Sequence, residues 1–153
     1  MRMASMYYGG LFDPAYMHLP DKVTRKEDVP VGTAFYEKLS EFMGPSDIIC
    51  SELILNSQKY QNGDLLVVNV RDRDEVTVGI VQTILVRFED VFFVIRKYKA
   101  VRNRLNFFDS ESVESNFTFI KATDLADYKP LVRYGTDLKF KFYFHHYVSF
   151  SFE

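Results

Sequence analysis

The chain has 153 residues, of which 47% are hydrophobic, 26% charged and 16% aromatic, the aromatic share being 15 Phe and 10 Tyr with no Trp. That length suits one domain with a real apolar core, and 19 Lys and Arg against 21 Asp and Glu exclude both a nucleic-acid-coating polycation and an acidic solvating tail. A single cysteine, Cys50, excludes an intramolecular disulfide framework, and with only three histidines the usual four-ligand structural zinc sites are excluded too. The first residues lack an apolar run of signal-peptide length, and no later stretch approaches the roughly 20 apolar residues of a membrane span. An intracellular protein, cytoplasmic or nuclear and without membrane contact, is expected.

Pro14, Pro20, Pro30 and Pro45 all fall in the first 45 residues, together with Gly9-Gly10 and a charged run from Asp21 to Asp28. Residues 1–45 therefore read as an N-terminal arm with too few periodic apolar positions to fold alone, expected to be the remnant of an upstream region. One helix is predicted within it, at about 33–43. Thr33 can cap it, Phe35, Leu39, Phe42 and Met43 form an apolar stripe at helical spacing, and Gly44-Pro45 ends it.

Residues 46–153 are predicted to form a β domain. From Cys50 the apolar period changes to two, giving strands at 51–56, 65–70, 76–88, 91–98, 113–121 and 139–152. Asn62-Gly63-Asp64 is a turn, Asp72-Arg73-Asp74 a polar link and Glu89-Asp90 a tight hairpin turn without the usual Gly. Such short links predict antiparallel pairing and a mainly β fold, a small SH3-like barrel or sandwich carrying the arm and one short helix. In 139–152 one parity is nearly all apolar, including Phe140, Phe142, Phe144, Phe150 and Phe152. A run so long is expected to bend and to serve two parts of a barrel.

No sequence motif supplies catalysis. There is no nucleophile elbow, phosphate loop or zinc-binding helix motif. His145 and His146 are adjacent in a strand, so their rings point to opposite faces and do not chelate one ion. Asp72-Arg73-Asp74-Glu75 lacks the Gly and distal Glu of a calcium loop and reads as a solvated turn. Cys50, near Asp47 and Glu52, reads as a buried inert thiol. The chain is expected to be no enzyme, with no cofactor and no metal site.

Two features remain as binding candidates. Arg96, Lys97, Lys99, Arg102 and Arg104 place five cations in nine residues around Tyr98. They form either a grip on a nucleic-acid backbone, with a salt slope of about −3.5 to −4.5 for five phosphate contacts, or a solvated loop neutralised by Asp109, Glu111 and Glu114. Tyr60, Phe88 and Tyr98 fall at strand ends or in the link before a strand, where small barrels build aromatic cages for cations, or else they are ordinary core aromatics.

Residues 60–68, Val78-Gly79-Ile80-Val81 and 91–98 are similar in order to the opening strands of bromo-adjacent homology and Tudor-type modules. That resemblance covers about residues 58–98 and implies an SH3-like barrel that binds chromatin or other protein peptides. Where a bromo-adjacent homology domain continues with an Arg-Pro-Glu-Glu type segment, this chain has Lys99-Ala100-Val101-Arg102. A broader likeness spans about 44–150. Gly44-Pro45-Ser46-Asp47, 60–66, 124–131 and Phe144-His145-His146 resemble the C-terminal β region of uncharacterised transposon-element proteins of animal genomes, which implies no activity. The leading expectation is a noncatalytic β-barrel interaction module for a protein segment, linked to chromatin, with Tyr60, Tyr98, Lys97, Lys99, Arg102 and Arg104 as ligand-binding residues. The alternative is a nucleic-acid-binding accessory domain of a mobile-element protein that uses the basic loop 96–104.

Overall fold

A computed structural model describes residues 2–3, 6–7 and 17–143. Its strands, in chain order, are β1 (Arg2–Met3), β2 (Met6–Tyr7), β3 (Met17–His18), β4 (Thr24–Arg25), β5 (Ile48–Cys50), β6 (Glu52–Leu55), β7 (Gln58–Gln61), β8 (Leu65–Val70), β9 (Glu75–Arg87), β10 (Asp90–Arg102), β11 (Phe108–Lys121), β12 (Asp127–Leu131), β13 (Arg133–Gly135) and β14 (Phe140–Phe142). One α-helix, α1 (Ala34–Phe42), lies between β4 and β5. The fold is mainly β and its sheets are antiparallel, apart from a short parallel pairing of β1 with β2.

The chain divides into two compact units, residues 1–61 with 83–92 and residues 62–82 with 93–153. The boundary expected at residue 45 does not coincide with this division. The helix shares the first unit with β5, β6 and β7, and the long strands β9 and β10 contribute residues to both units.

In the first unit β4 pairs with β5, and β5 with the end of β9, in a register that sets Arg25 opposite Ile48 and Ile48 opposite Val86. A second sheet has the order β3-β6-β7. Its β6–β7 turn, Asn56-Ser57, takes positive φ at both central residues (51° and 68°), as in a type I′ hairpin. The helix forms as its residues dictate. The Thr33 hydroxyl oxygen accepts from the Tyr36 N–H at 3.2 Å, and Leu39 and Met43 are buried. Phe42, on the same predicted stripe, is instead partly exposed and carries the Arg87 guanidinium 4.8 Å from its ring centroid.

Arg87 ties the end of the helix to β9. Its Nε donates to both carboxylate oxygens of Asp47 at 3.2 and 3.0 Å, and one terminal nitrogen donates to Asp47 Oδ2 at 2.7 Å and to the Phe42 carbonyl at 3.1 Å. The Gly44 N–H donates to the same Oδ2 at 2.7 Å. Asp47 is only 2% exposed, so this set of charge-assisted bonds replaces its hydration. The bonds from Arg87 hold the Asp47 carboxyl below the usual carboxylate range, against the opposing effect of burial.

In the second unit the strand order is β12-β8-β9-β10-β11-β14-β13. The ladder is open between β12 and β13, but only Val132 separates these two in the chain. One bent strand thus pairs with β8 through its first half and with β14 through its second. Of the run 139–152, expected to bend, β14 is described and residues 144–152 lie outside the described residues. Inward positions of alternate parity fill the core, among them Leu65, Val67, Val78, Ile80, Tyr98 and Phe142. Phe142 stacks on Phe108 with centroids 5.4 Å apart, and Phe140 meets Tyr98 edge-on at 4.9 Å.

Several expectations shift by a few residues. Strand β10 runs on to Arg102, and β11 begins at Phe108, five residues earlier than predicted. The turn between β9 and β10 is Phe88-Glu89, one residue before Glu89-Asp90. Asp72 does form the expected turn, its Oδ1 accepting from the N–H groups of Asp74 and Glu75 at 2.8 and 3.0 Å.

A Cβ added at Gly79 would lie 2.5 Å from Ile95 Cδ1 and 2.9 Å from its Cβ. Gly79→Ala is expected to lower stability by about 2 kcal/mol through overpacking. In urea unfolding, Gly79→Ala combined with Ile95→Val should cost at least about 0.5 kcal/mol less than the sum of the two single changes; simple additivity would contradict the contact. Asp47→Asn should cost about 2 kcal/mol at neutral pH, below the figure for a fully buried pair because the Arg87 side chain is one-third exposed. Because the folded-state pKa of Asp47 is depressed, its stabilisation is complete above the unfolded value of about 4 and is lost as pH falls through the folded value. The stability gap between wild type and Asp47→Asn should therefore be flat from mildly acidic to neutral pH and narrow in more acidic solution.

Candidate functional site

The register of the first unit builds a pocket. Directly opposed residues of antiparallel strands project to the same face, so Arg25, Ile48 and Val86 form one row across β4, β5 and β9. This row lines an open pocket of about 330 Å³. Ser46 and Phe88, two residues in the chain from Ile48 and Val86 and just beyond the ends of β5 and β9, extend the lining, and Met17 with Leu19 completes it. A second pocket of about 130 Å³ adjoins at Leu19, with Ile54 and the ion-paired Lys59 and Glu52 in its lining.

Phe88 is the unusual member. It is 81% exposed, and its φ of +56° lies in the left-handed region that a bulky side chain rarely adopts. It occupies the first central position of the two-residue β9–β10 turn, and of the two turn residues it alone has positive φ. This is the pattern of a type II′ turn, where Gly is favoured. Both the exposed ring and the backbone conformation are unfavourable for stability, the latter by about 1 kcal/mol or more.

The pocket's charge comes from Arg25, which has no hydrogen-bond or ion-pair partner among the described residues. Asp47, beside Ser46 in the chain, is committed to Arg87 and does not neutralise it. Apolar walls, one hydroxyl and one guanidinium suit the capture of an apolar group next to an acceptor. The described lining residues include no acid–base pair for bond-making chemistry.

The residues singled out from sequence lie elsewhere. Tyr60, in the first unit, and Tyr98, in the second, are each 4% exposed. The Tyr98 hydroxyl donates to the Asp137 carbonyl at 2.8 Å, and burial raises its pKa. An aromatic cage built from Tyr60, Phe88 and Tyr98 is therefore corrected: the two tyrosine rings are core, because strand alternation turns them inward, and Phe88 alone is open to a ligand.

The basic run is a strand rather than a loop as far as Arg102. Its cations pair with acidic residues of the flanking strands and of the link before β9. Lys99 is 3.7 Å from Glu75 and 3.5 Å from Glu111, Lys97 is 3.7 Å from Glu114, and Arg102 is 2.9 Å from Asp74. Arg104 follows in the exposed β10–β11 turn. Asn103 organises that turn, its Oδ1 accepting from the N–H groups of Leu105 and Phe107 while its Nδ2 donates to Asp109.

Burial pushes the Cys50 thiol up to about 11, so it stays protonated at neutral pH. Among the described residues no group of three or more His, Cys, Asp or Glu side chains is placed to hold a metal ion. His145 and His146 lie outside the described residues. Among the described residues, no helix is long and apolar enough to cross a membrane. Comparison with protein-family models, curated proteins and solved structures finds no match to this chain.

Arg25, Ile48 and Val86 had no signal as a site in the sequence, because the pairing of β4 with β5 and β5 with β9 brings them together from three separated segments, and Met17 and Leu19 join them from a fourth at β3. The sequence places Phe88 at the end of a strand, with Glu89-Asp90 as the turn lacking Gly; the one-residue shift of that turn is what puts Phe88 in it. Phe88→Gly should raise stability by about 0.5–1 kcal/mol, since glycine adopts positive φ without strain. Chemical denaturation measures this directly, and a loss of stability would show that the ring packs on the fold.

Proposed function

We propose that the chain is a noncatalytic interaction module whose first unit binds a protein segment at the Phe88 pocket. The observation that carries this reading is Phe88 itself. An exposed aromatic ring held in a backbone conformation that disfavours it contributes nothing to folding, and such rings serve as anchors in protein interfaces. The adjoining pockets on either side of Leu19 support an extended occupant rather than a compact small molecule. Chromatin proteins are the first natural partners to screen, on the resemblance of residues 58–98.

The alternative, nucleic-acid binding through Lys97, Lys99, Arg102 and Arg104, has less support. Three of those cations have carboxylates within ion-pair distance and must give them up before taking phosphates. That reading predicts affinity for DNA or RNA that falls steeply with salt and disappears when all four are replaced by Ala.

Peptides selected from a displayed random dodecapeptide library on the immobilised full chain should bind in solution and lose at least about tenfold in affinity on Phe88→Asn, a change expected to leave the fold as stable or more so. Peptides that bind wild type and Phe88→Asn equally would place the binding surface elsewhere. Fluorescence anisotropy with labelled DNA and RNA at low and physiological salt separates the nucleic-acid alternative.

A further inference from the structure

Resting on the reading of the Phe88 pocket as a protein-binding site, we propose that the segment it takes is acidic: an apolar side chain fills the pocket while a neighbouring Asp or Glu pairs with Arg25. The register places Arg25 at the end of the row that continues through Ile48 to Val86, so a guanidinium borders an apolar floor. The other described lining residues are uncharged. Elsewhere, Lys97, Lys99, Arg102 and Arg87 all face carboxylates, whereas Arg25 has no such partner among the described residues. Asp47, next to the lining residue Ser46 in the chain, is buried and bound to Arg87.

Arginine suits this role because its planar fork can take a carboxylate through two parallel hydrogen bonds, and apolar surroundings strengthen them. Among the described residues, strand β4 pairs with β5 on one side and with no other strand, so an extended segment can lie along the Arg25 side of the pocket. A basic segment would meet the uncompensated guanidinium, and a wholly apolar one would leave it desolvated without a partner; both are disfavoured.

The test uses the same displayed dodecapeptide library on the full chain and on the Arg25→Met, Arg25→Glu and Phe88→Asn variants. Arg25 is exposed, so its substitutions are expected to leave the fold intact, and thermal melts check this. Wild type should enrich peptides that combine an apolar residue with Asp or Glu. Arg25→Met should lose the charge preference, and Arg25→Glu should reverse it toward Lys and Arg. A synthetic wild-type-selected peptide should bind Arg25→Met about five- to tenfold more weakly, and changing its acid to the amide should weaken binding to wild type but not further to Arg25→Met. Phe88-dependent peptides with no acidic enrichment, or with an enrichment that survives Arg25→Glu, would overturn the acidic specificity and leave the pocket reading standing. If no selected peptide depends on Phe88, both readings are overturned.

Discussion

The two thirteen-residue strands β9 and β10 impose the constraint from which the rest of the structure follows. Each contributes residues to both compact units, and along their middles neither face is left to solvent. Val78 through Val81, Thr83 through Val86 and Phe93 through Ile95 are buried at successive positions, so both parities are occupied by core. Strands buried on both faces read as continuous apolar runs rather than alternating ones. Close packing at such a place needs space as well as hydrophobicity, and Gly79 supplies it where the Ile95 side chain approaches. Both units are discontinuous in sequence for the same reason, and no linker separates them.

Charge is distributed in two contrasting ways. Asp47 and Arg87 form a part-buried pair in which the carboxylate also accepts from Gly44 and the guanidinium also donates to Phe42. Because the bonds compensate the buried acid, removing either partner leaves an uncompensated polar group. By contrast, Lys97 and Lys99 on the outer face of β10, and Arg102 at its end, make surface pairs in high dielectric that add little to stability. Their effect is on recognition, since a strand of cations lined by acids on both sides projects little net field.

Against that background the first-unit pocket combines features that the fold itself does not require. A type II′ turn would be better served by glycine than by Phe88, and an edge strand can carry its cation away from an apolar row rather than at its end. Local choices that work against stability with no compensating contact concentrate at functional sites. A protruding aromatic ring, an apolar floor and a guanidinium are the features on which the proposed recognition surface rests, the ring to supply contact area and the charge to select the partner.

Much of the architecture was legible from sequence because local rules govern it. Thr33, the stripe through Leu39 and Met43, and Gly44-Pro45 determined the helix, and the two-residue period located β8, β9 and the greater part of β10. The short strands β5 and β7 escaped notice, since three or four residues carry too little period to be distinguished from their surroundings. The basic run was visible as composition, and the acids expected to neutralise it do so in part, Glu111 and Glu114 through ion pairs with Lys99 and Lys97. Its course as a strand became clear only from the pairing of β10 with its neighbours. The sequence by itself determined a mainly β chain with one capped helix and a buried inert thiol. Only the tertiary structure decided that Tyr60 and Tyr98 face inward, that the chain bends at Val132, and that Arg25, Ile48 and Val86 share a row. The physical reason is that burial and register depend on which strands lie side by side, and that choice is made by contacts between segments far apart in the chain.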